Sequence, residues 1–358
     1  MERNTDEMEM LDLLVRPGFC VHSGKIVKAN QPALSHMITV GMDIGEILLT
    51  GKEEYAAFSS GCLYLTLKLG EHPFGASVSR IGEYDIFILE QEEDQSELQA
   101  MALAARELRD PLTSVMTTAD RLFPLNALQD DPATREQVAR LNRGLLQMLR
   151  VISNMSDASR YSSGTVGRQE TREVTGLLEE IITHAGDLVA HGGMTLSFRN
   201  LTERVYSLVD VEKLERAVLN ILSNAMKFTP KGGTITATVT RKNNMLYLQI
   251  QDEGQGIPEN LRGSVHSRYL RQPSIEDGRY GIGLGMVLIR SAAAHHGGTV
   301  LIDHPDGVGT RITMTLAIRQ PSETMVRANI LRVDYAGERD HALLELADCL
   351  PAELYDLS

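Results

Sequence analysis

Residues 219–229 read LNILSNAMKFT, and their spacing sets the interpretation of everything around them. At 3.6 residues per turn, Asn220, Asn224 and Lys227 fall at i, i+4 and i+7 and share one helical face. Two amides and an ammonium there suit a hydrated divalent cation held beside phosphate, since hard cations take oxygen ligands. A solvated polar helix surface is the plain alternative. Three downstream pieces belong with this helix. In DEGQGIP (252–258), Asp252 ends a strand-like run, where its carboxylate can accept a hydrogen bond from an exocyclic amine, and Gly254 and Gly256 let the backbone approach a ligand closely. In YGIGLGM (280–286), Gly281, Gly283 and Gly285 precede a helix whose first amides stay open to phosphate. In GVGTRITM (307–314), Thr310 opens a strand with its hydroxyl positioned to support Asp252. Each glycine run taken alone reads equally well as a turn.

Around these pieces the predicted order is a helix (174–190), short strands, the helix 211–228, strands 234–240 and 245–252, glycine-rich loops, a helix and two final strands. Helices and strands mix without strict βαβ alternation, which argues for a mixed sheet covered by helices on one face. Upstream, SRYSSGTVGRQE (159–170) has linker composition. Two helices are predicted before it. Leu98, Met101, Ala105, Leu108, Leu112 and Val115 recur every three or four residues, and after a break at 124–132 so do Val138, Leu141, Leu145, Met148, Ile152 and Met155. One hairpin cannot cover both stripes, so pairing with a second copy into a four-helix bundle, a homodimer, is expected. Residues 12–91 alternate short apolar runs with turns, the pattern of a small antiparallel sheet with helical connections between Gln31 and Tyr55. The tail after Ile318 holds a strand-like NILRVDY (329–335) and a helix-like HALLELADCL (341–350) entered through Asp340, with no chemical reading attached.

At 358 residues the chain exceeds a single small module, and 42% hydrophobic with 23% charged residues is globular composition. Forty-eight acidic against 35 basic side chains leave a charge of −13, which opposes nucleic acid and anionic membrane surfaces as partners. No run approaches the roughly 18 apolar residues of a membrane span. MERNTDEMEM lacks a signal-peptide pattern, so a cytoplasmic protein is expected. Cys20, Cys62 and Cys349 have no metal spacing and read as reduced packing thiols.

In this order and with these separations, the four pieces resemble the N, G1 and G2 boxes and final strand of the Bergerat-type ATP-binding domain, an α/β sandwich found in histidine kinases and gyrase-type ATPases; no P-loop occurs. The resemblance implies ATP and Mg²⁺, with Asn224 as the Mg²⁺ ligand, Lys227 on phosphate and Asp252 on the adenine amine. Asn220, Gly254, Gly256, Gly281, Gly283, Gly285 and Thr310 would complete the nucleotide-binding set. Asn220 stands where hydrolysing relatives carry Glu, so free hydrolysis is expected to be slow, an amide being no general base. His266 and Tyr269 hold the positions of two spaced phenylalanines between the glycine boxes. Upstream, ALAARELRDPLTSVM (102–116) is similar to the phosphoacceptor box of sensor histidine kinases, HELRTPL, in Glu107, Leu108, Arg109, Pro111 and Leu112. Implied is an α+β multidomain chain: a PAS-like sensor domain (1–92), resembled most in PGFCVHSGKIVKAN (17–30), a dimerisation helical hairpin (93–160), the ATPase domain (170–320) and a tail (321–358).

Two positions depart from the acceptor box: Arg106 stands where the His belongs, and Asp110 where Thr or Asn is usual. Phosphorylation on nitrogen needs a lone pair, which a guanidinium with a pKa above about 12 lacks. No histidine occurs between His72 and His184 to replace it. Glu107 keeps the residue type of the general base with no substrate to deprotonate. Arg106 and Asp110 either form an i,i+4 pair worth about 0.2 kcal/mol, or Arg106 binds a phosphate or acidic pocket without accepting a phosphoryl group. Asp110 would also repel the phosphoryl group of a receiver, against phosphatase activity. The expected protein is a degenerate kinase that binds ATP and regulates a two-component pathway through its bundle, with a response regulator or a complete histidine kinase as partner. The alternative is an active kinase that phosphorylates Thr113, Ser114 or another protein.

Overall fold

The HSGK turn generates the first hairpin: Ser23 (φ 50°) and Gly24 (φ 78°) both occupy the left-handed region, and this two-residue turn matches the twist of the strands it joins, β1 (Gly18–His22) and β2 (Lys25–Ala29). Asn30 then fixes the chain around it. Its Oδ1 accepts from the Gly18 and Ala33 amides at 3.0 Å each, capping α1 (Gln31–Ser35), while Nδ2 donates to the carbonyls of Leu11, Leu14 and Arg16. Short helices α2 (Ile44–Ile47) and α3 (Lys52–Ala56) precede β3 (Cys62–Leu69), β4 (His72–Ile81) and β5 (Tyr84–Leu89). The five strands are antiparallel in the order β2-β1-β5-β4-β3, over a core in which Phe19 stacks on Phe87 at 4.7 Å. The computed structural model describes residues 11–12, 14–90, 93–123, 132–162, 169–257, 284–304, 309–320 and 339–355.

Two long helices follow, α4 (Glu93–Leu122) and α5 (Pro132–Ser162), packed on each other. Burial divides each apolar stripe. Leu98, Ala105 and Leu112 are buried but Leu108 and Val115 are 50% and 52% exposed; Val138, Leu145 and Ile152 are buried but Leu141 and Met148 are exposed. Alternate members, seven residues apart, therefore face outward from a single chain.

The remaining elements are β6 (Glu170–Glu173), α6 (Val174–His191), β7 (Thr195–Asn200), β8 (Tyr206–Val209), α7 (Val211–Phe228), β9 (Thr234–Lys242), β10 (Met245–Asp252), α8 (Leu284–His295), β11 (Val300–Asp303) and β12 (Arg311–Ala317). Alternation in β9 and β10 buries Ile235, Ala237, Val239, Leu246, Leu248 and Ile250, in one core with residues of α6, α7 and α8. β6 and β8 form a separate pair. All the other strands join one ten-stranded sheet, β2-β1-β5-β4-β3-β11-β12-β10-β9-β7, mixed because β7 runs parallel to β9. The sequence suggested two sheets; the structure fuses them through β3 and β11, paired Tyr64↔Val300, Leu63↔Leu301 and Cys62↔Ile302. Each strand covers the other's open edge. Gly61 (φ 91°) permits the approach, since a Cβ there would lie 2.2 Å from the carbonyl oxygen of Ile302. A polar contact ties the same junction: buried Arg290 of α8 lies 2.9 Å from Glu90 and 4.7 Å over the Tyr64 ring, whose hydroxyl donates to Glu90.

The tail returns to this core. Asp340 caps α9 (His341–Glu345), accepting from the Leu343 amide at 3.0 Å, and Ala342, Leu344, Leu346, Ala347, Leu350 and Tyr355 are buried. The strand-like run 329–335 lies outside the described residues. Among the described residues no helix is long and apolar enough to cross a membrane. The cysteines are free, and burial pushes the Cys20 and Cys62 thiols up to about 11.

Candidate functional site

Helix α7 positions the first group of candidate residues. Asp210 accepts from the Lys213 amide to start it, and Leu214, Val218, Leu219, Ile221, Leu222 and Ala225 turn into the core. Asn220, at i+1 from an apolar residue, is itself buried: its Nδ2 donates to the Arg216 carbonyl (2.8 Å) and to Glu345 Oε2 (3.2 Å), and its Oδ1 accepts from Arg150 at 3.5 Å. Gly285, at the start of α8, lies against it; a Cβ there would stand 2.9 Å from Asn220 Oδ1. Asn224, one turn on, is half-buried and makes no hydrogen bond through its side chain among the described residues. Lys227 Nζ lies 3.0 Å from Asp348 Oδ2.

The second group gathers at the end of β10. Asp252, 6% exposed, accepts on Oδ1 from the amides of Gly254 (2.8 Å) and Thr310 (3.1 Å). Burial raises its carboxyl above the ordinary range, and the two amides pull it partly back. Its Oδ2 takes no bond among the described residues and is the acceptor an exocyclic amine would need. It is the Thr310 amide, not the expected hydroxyl, that supports Asp252. Gly254 is required because a Cβ would fall 2.6 Å from the Phe228 carbonyl, and this close approach sets the second group against the end of α7. His304 braces Gly256, accepting from the Ile257 amide (3.1 Å) and donating to the Gly309 carbonyl (2.5 Å). Gly281, Gly283, His266 and Tyr269 lie outside the described residues.

Arg106 and Glu107 belong to neither group: both are exposed on α4. Of the two readings of Arg106, the i,i+4 pair with Asp110 is not formed; two solvated side chains gain little from such pairing. Thr113 donates its hydroxyl to the Arg109 carbonyl at 2.9 Å.

Sequence reasoning missed a charged cluster behind α7. Arg150 of α5 contacts Glu345 (3.1 Å) and Asp348 (2.5 Å); Arg216 of α7 contacts Glu345 (3.1 Å), Asn154 (2.6 Å) and Asp157. With Lys227, three cations face three carboxylates, all of them buried or nearly so except the partly exposed Asp348. Burial alone would raise the Asp348 carboxyl, but Arg150 and Lys227 outweigh it and hold it below the usual range. Two acidic residues three apart in an apolar run, LLELADC, were the available signal.

The family model described as histidine kinase-, DNA gyrase B- and HSP90-like ATPase matches residues 209–320. The chain is 30% identical over 250 residues to the sensor histidine kinase WalK of Bacillus subtilis, covering 67% of this chain and 39% of that protein. It is 28% identical over 241 residues to the hybrid signal transduction histidine kinase D of Dictyostelium discoideum, covering 64% and 15%. To the histidine protein kinase DivJ of Caulobacter vibrioides it is 30% identical over 243 residues, covering 63% and 40%. The chain thus spans less than half the length of each of these relatives. Full-length ShkA in complex with AMPPNP shares the fold, with a TM-score of 0.51 at 19% identity over 63% of this chain and 47% of that one.

Proposed function

The chain belongs to the GHKL sensor histidine kinase family, and from that premise we propose that it is a nucleotide-binding regulator of a two-component pathway that has lost transfer to its own hairpin. Asp252, Asn224 and Lys227 are the residues that would hold ATP and Mg²⁺, and the open Oδ2 of Asp252 together with the unengaged amide of Asn224 supports that fit. ATP supplies a transferable phosphoryl group, and Mg²⁺ offsets its charge. What this chain withholds is the acceptor: Arg106, exposed at the acceptor position of the box, carries the reading, because guanidinium has no lone pair to offer phosphorus. Thr113 is a poor substitute, since its hydroxyl is engaged with the Arg109 carbonyl.

The same reading makes residues 1–92 a PAS-like sensor working in the cytoplasm, and α4 with α5 a dimerisation hairpin closed by a second copy over Leu108, Val115, Leu141 and Met148. A response regulator or a complete histidine kinase would receive the output. The test incubates purified protein with Mg²⁺ and γ-labelled ATP, following label in protein, free phosphate and intact nucleotide. Bound, untransferred ATP is the expected result. Acid-labile label on the protein would overturn it, and acid-stable label would favour an active kinase acting on hydroxyls.

A further inference from the structure

The tail lies along one edge of α7, touching Asn220, Ser223 and Lys227 and leaving Asn224 aside. Glu345 accepts from Asn220, Asp348 from Lys227, and the Cys349 thiol donates to the Ser223 carbonyl at 3.5 Å. Two of the residues assigned to the nucleotide are therefore already satisfied by carboxylates of the chain itself. Lys227 is the telling one. Its side chain is 10% exposed, and its ammonium faces an anion 3.0 Å away, which is what a phosphate oxygen would present.

We propose that residues 339–355 act as a cis competitor of the nucleotide, an acidic peptide whose Asp348 carboxylate occupies the phosphate position on Lys227. The proposal rests on the nucleotide reading above and names its regulation. A phosphate arriving at Lys227 meets the Asp348 carboxylate at the same largely buried ammonium, and two anions so close repel. Arg150 does not relieve the conflict, because it grips the same Asp348 oxygen at 2.5 Å. Phosphate and tail thus exclude one another, and the affinity for nucleotide is reduced by the fraction of molecules whose tail is docked.

Docking is built rather than incidental. Besides its buried apolar side chains, the segment offers backbone carbonyls to one face of α5: Asn142 donates to Tyr355 (3.0 Å), Arg143 to Ala347 (3.0 Å) and Asp348 (3.3 Å), and Gln147 to Ala347 (3.2 Å). The tail consequently bridges the helical hairpin and the box helix, with Glu345 shared between Arg150 of one and Arg216 of the other. A nucleotide that ejects the tail also undoes this bridge. By reciprocity, whatever strengthens the bridge weakens nucleotide binding by the same factor.

The test titrates the full-length chain and its Asp348→Asn variant with Mg·AMPPNP by calorimetry, and follows hydrogen exchange in the wild-type chain with and without that nucleotide. Expected are an affinity about 10-fold tighter in the variant and faster exchange across 341–350 when nucleotide saturates the wild type. The exchange measurement needs no variant, so misfolding of Asp348→Asn leaves the proposal testable. Equal affinities, or protection around Asp252 with an unchanged tail, would overturn the competition alone. Absence of binding in both proteins would instead overturn it together with the nucleotide reading.

Discussion

Arg216 and Glu345 lie 129 positions apart and meet with both side chains at 0% exposure, guanidinium Nε 3.1 Å from Oε1. Glu345 also serves Arg150, so it is the single carboxylate between two buried cations. Replacing it by Gln preserves volume but removes the shared charge, leaving Asp348 to face Arg150 and Asp157 to face Arg216. The expected cost is about 3–5 kcal/mol, the usual penalty for breaking a buried ion pair from one side, read as a lower denaturant midpoint. A loss under about 1 kcal/mol would mean that water reaches the arginines.

Asp252 has one oxygen held by two amides and one left open. Asp252→Asn keeps an oxygen for the amides but turns a donor toward an incoming amine. Nucleotide affinity is expected to fall by about 1.5–3 kcal/mol, or roughly 10- to 100-fold, with the unfolding transition little changed. Calorimetric titration with Mg·AMPPNP measures it, and unaltered affinity would remove Asp252 from the site.

His296 is buried with Nε2 accepting from the Asp210 amide (3.0 Å) and Nδ1 donating to the Ala292 carbonyl (2.7 Å), a pattern only the neutral ring provides. Burial, reinforced by His295, Arg319 and Lys213 and opposed by the Ala292 bond, pushes its pKa from 6.5 down to about 4. The unfolded chain therefore binds the extra proton first as pH falls. Stability from this residue is full above pH 6.5 and is lost progressively toward pH 4. Between pH 7 and 5 the loss should be about 2 kcal/mol, seen in urea midpoints and diminished in His296→Gln.

Leu108 and Val115 are half exposed, seven residues apart on α4. Placing Glu at both positions should convert a dimer to a monomer in sedimentation velocity while leaving the far-ultraviolet dichroism intact, since the buried members of the stripe are untouched. A dimer that survives both substitutions would place its interface elsewhere.

The site was legible where its logic is local. Asn220, Asn224 and Lys227 are set by helical period, and Asp252 with Gly254 by a strand ending in a tight approach, so short spacing carries them. Arg150 and Glu345 escaped because nothing in a chain marks two residues 195 positions apart as neighbours. The β3–β11 junction escaped for a related reason: three residue pairs between two edge strands leave no periodic trace that separates them from any other pair of edges. Thr310 was found for the wrong atom, because side-chain chemistry is visible in a sequence and the direction of an amide is not.

The fused sheet changes what kind of message can cross the molecule. Because side chains alternate from face to face, sliding β3 past β11 by one residue would exchange buried Leu63 with its buried neighbours Cys62 and Tyr64 between the two faces of the sheet and mismatch the packing on both. Intermediate positions are therefore forbidden. The two halves of the sheet are either latched in this register or separated, so the β3–β11 junction is a two-position joint rather than a graded one.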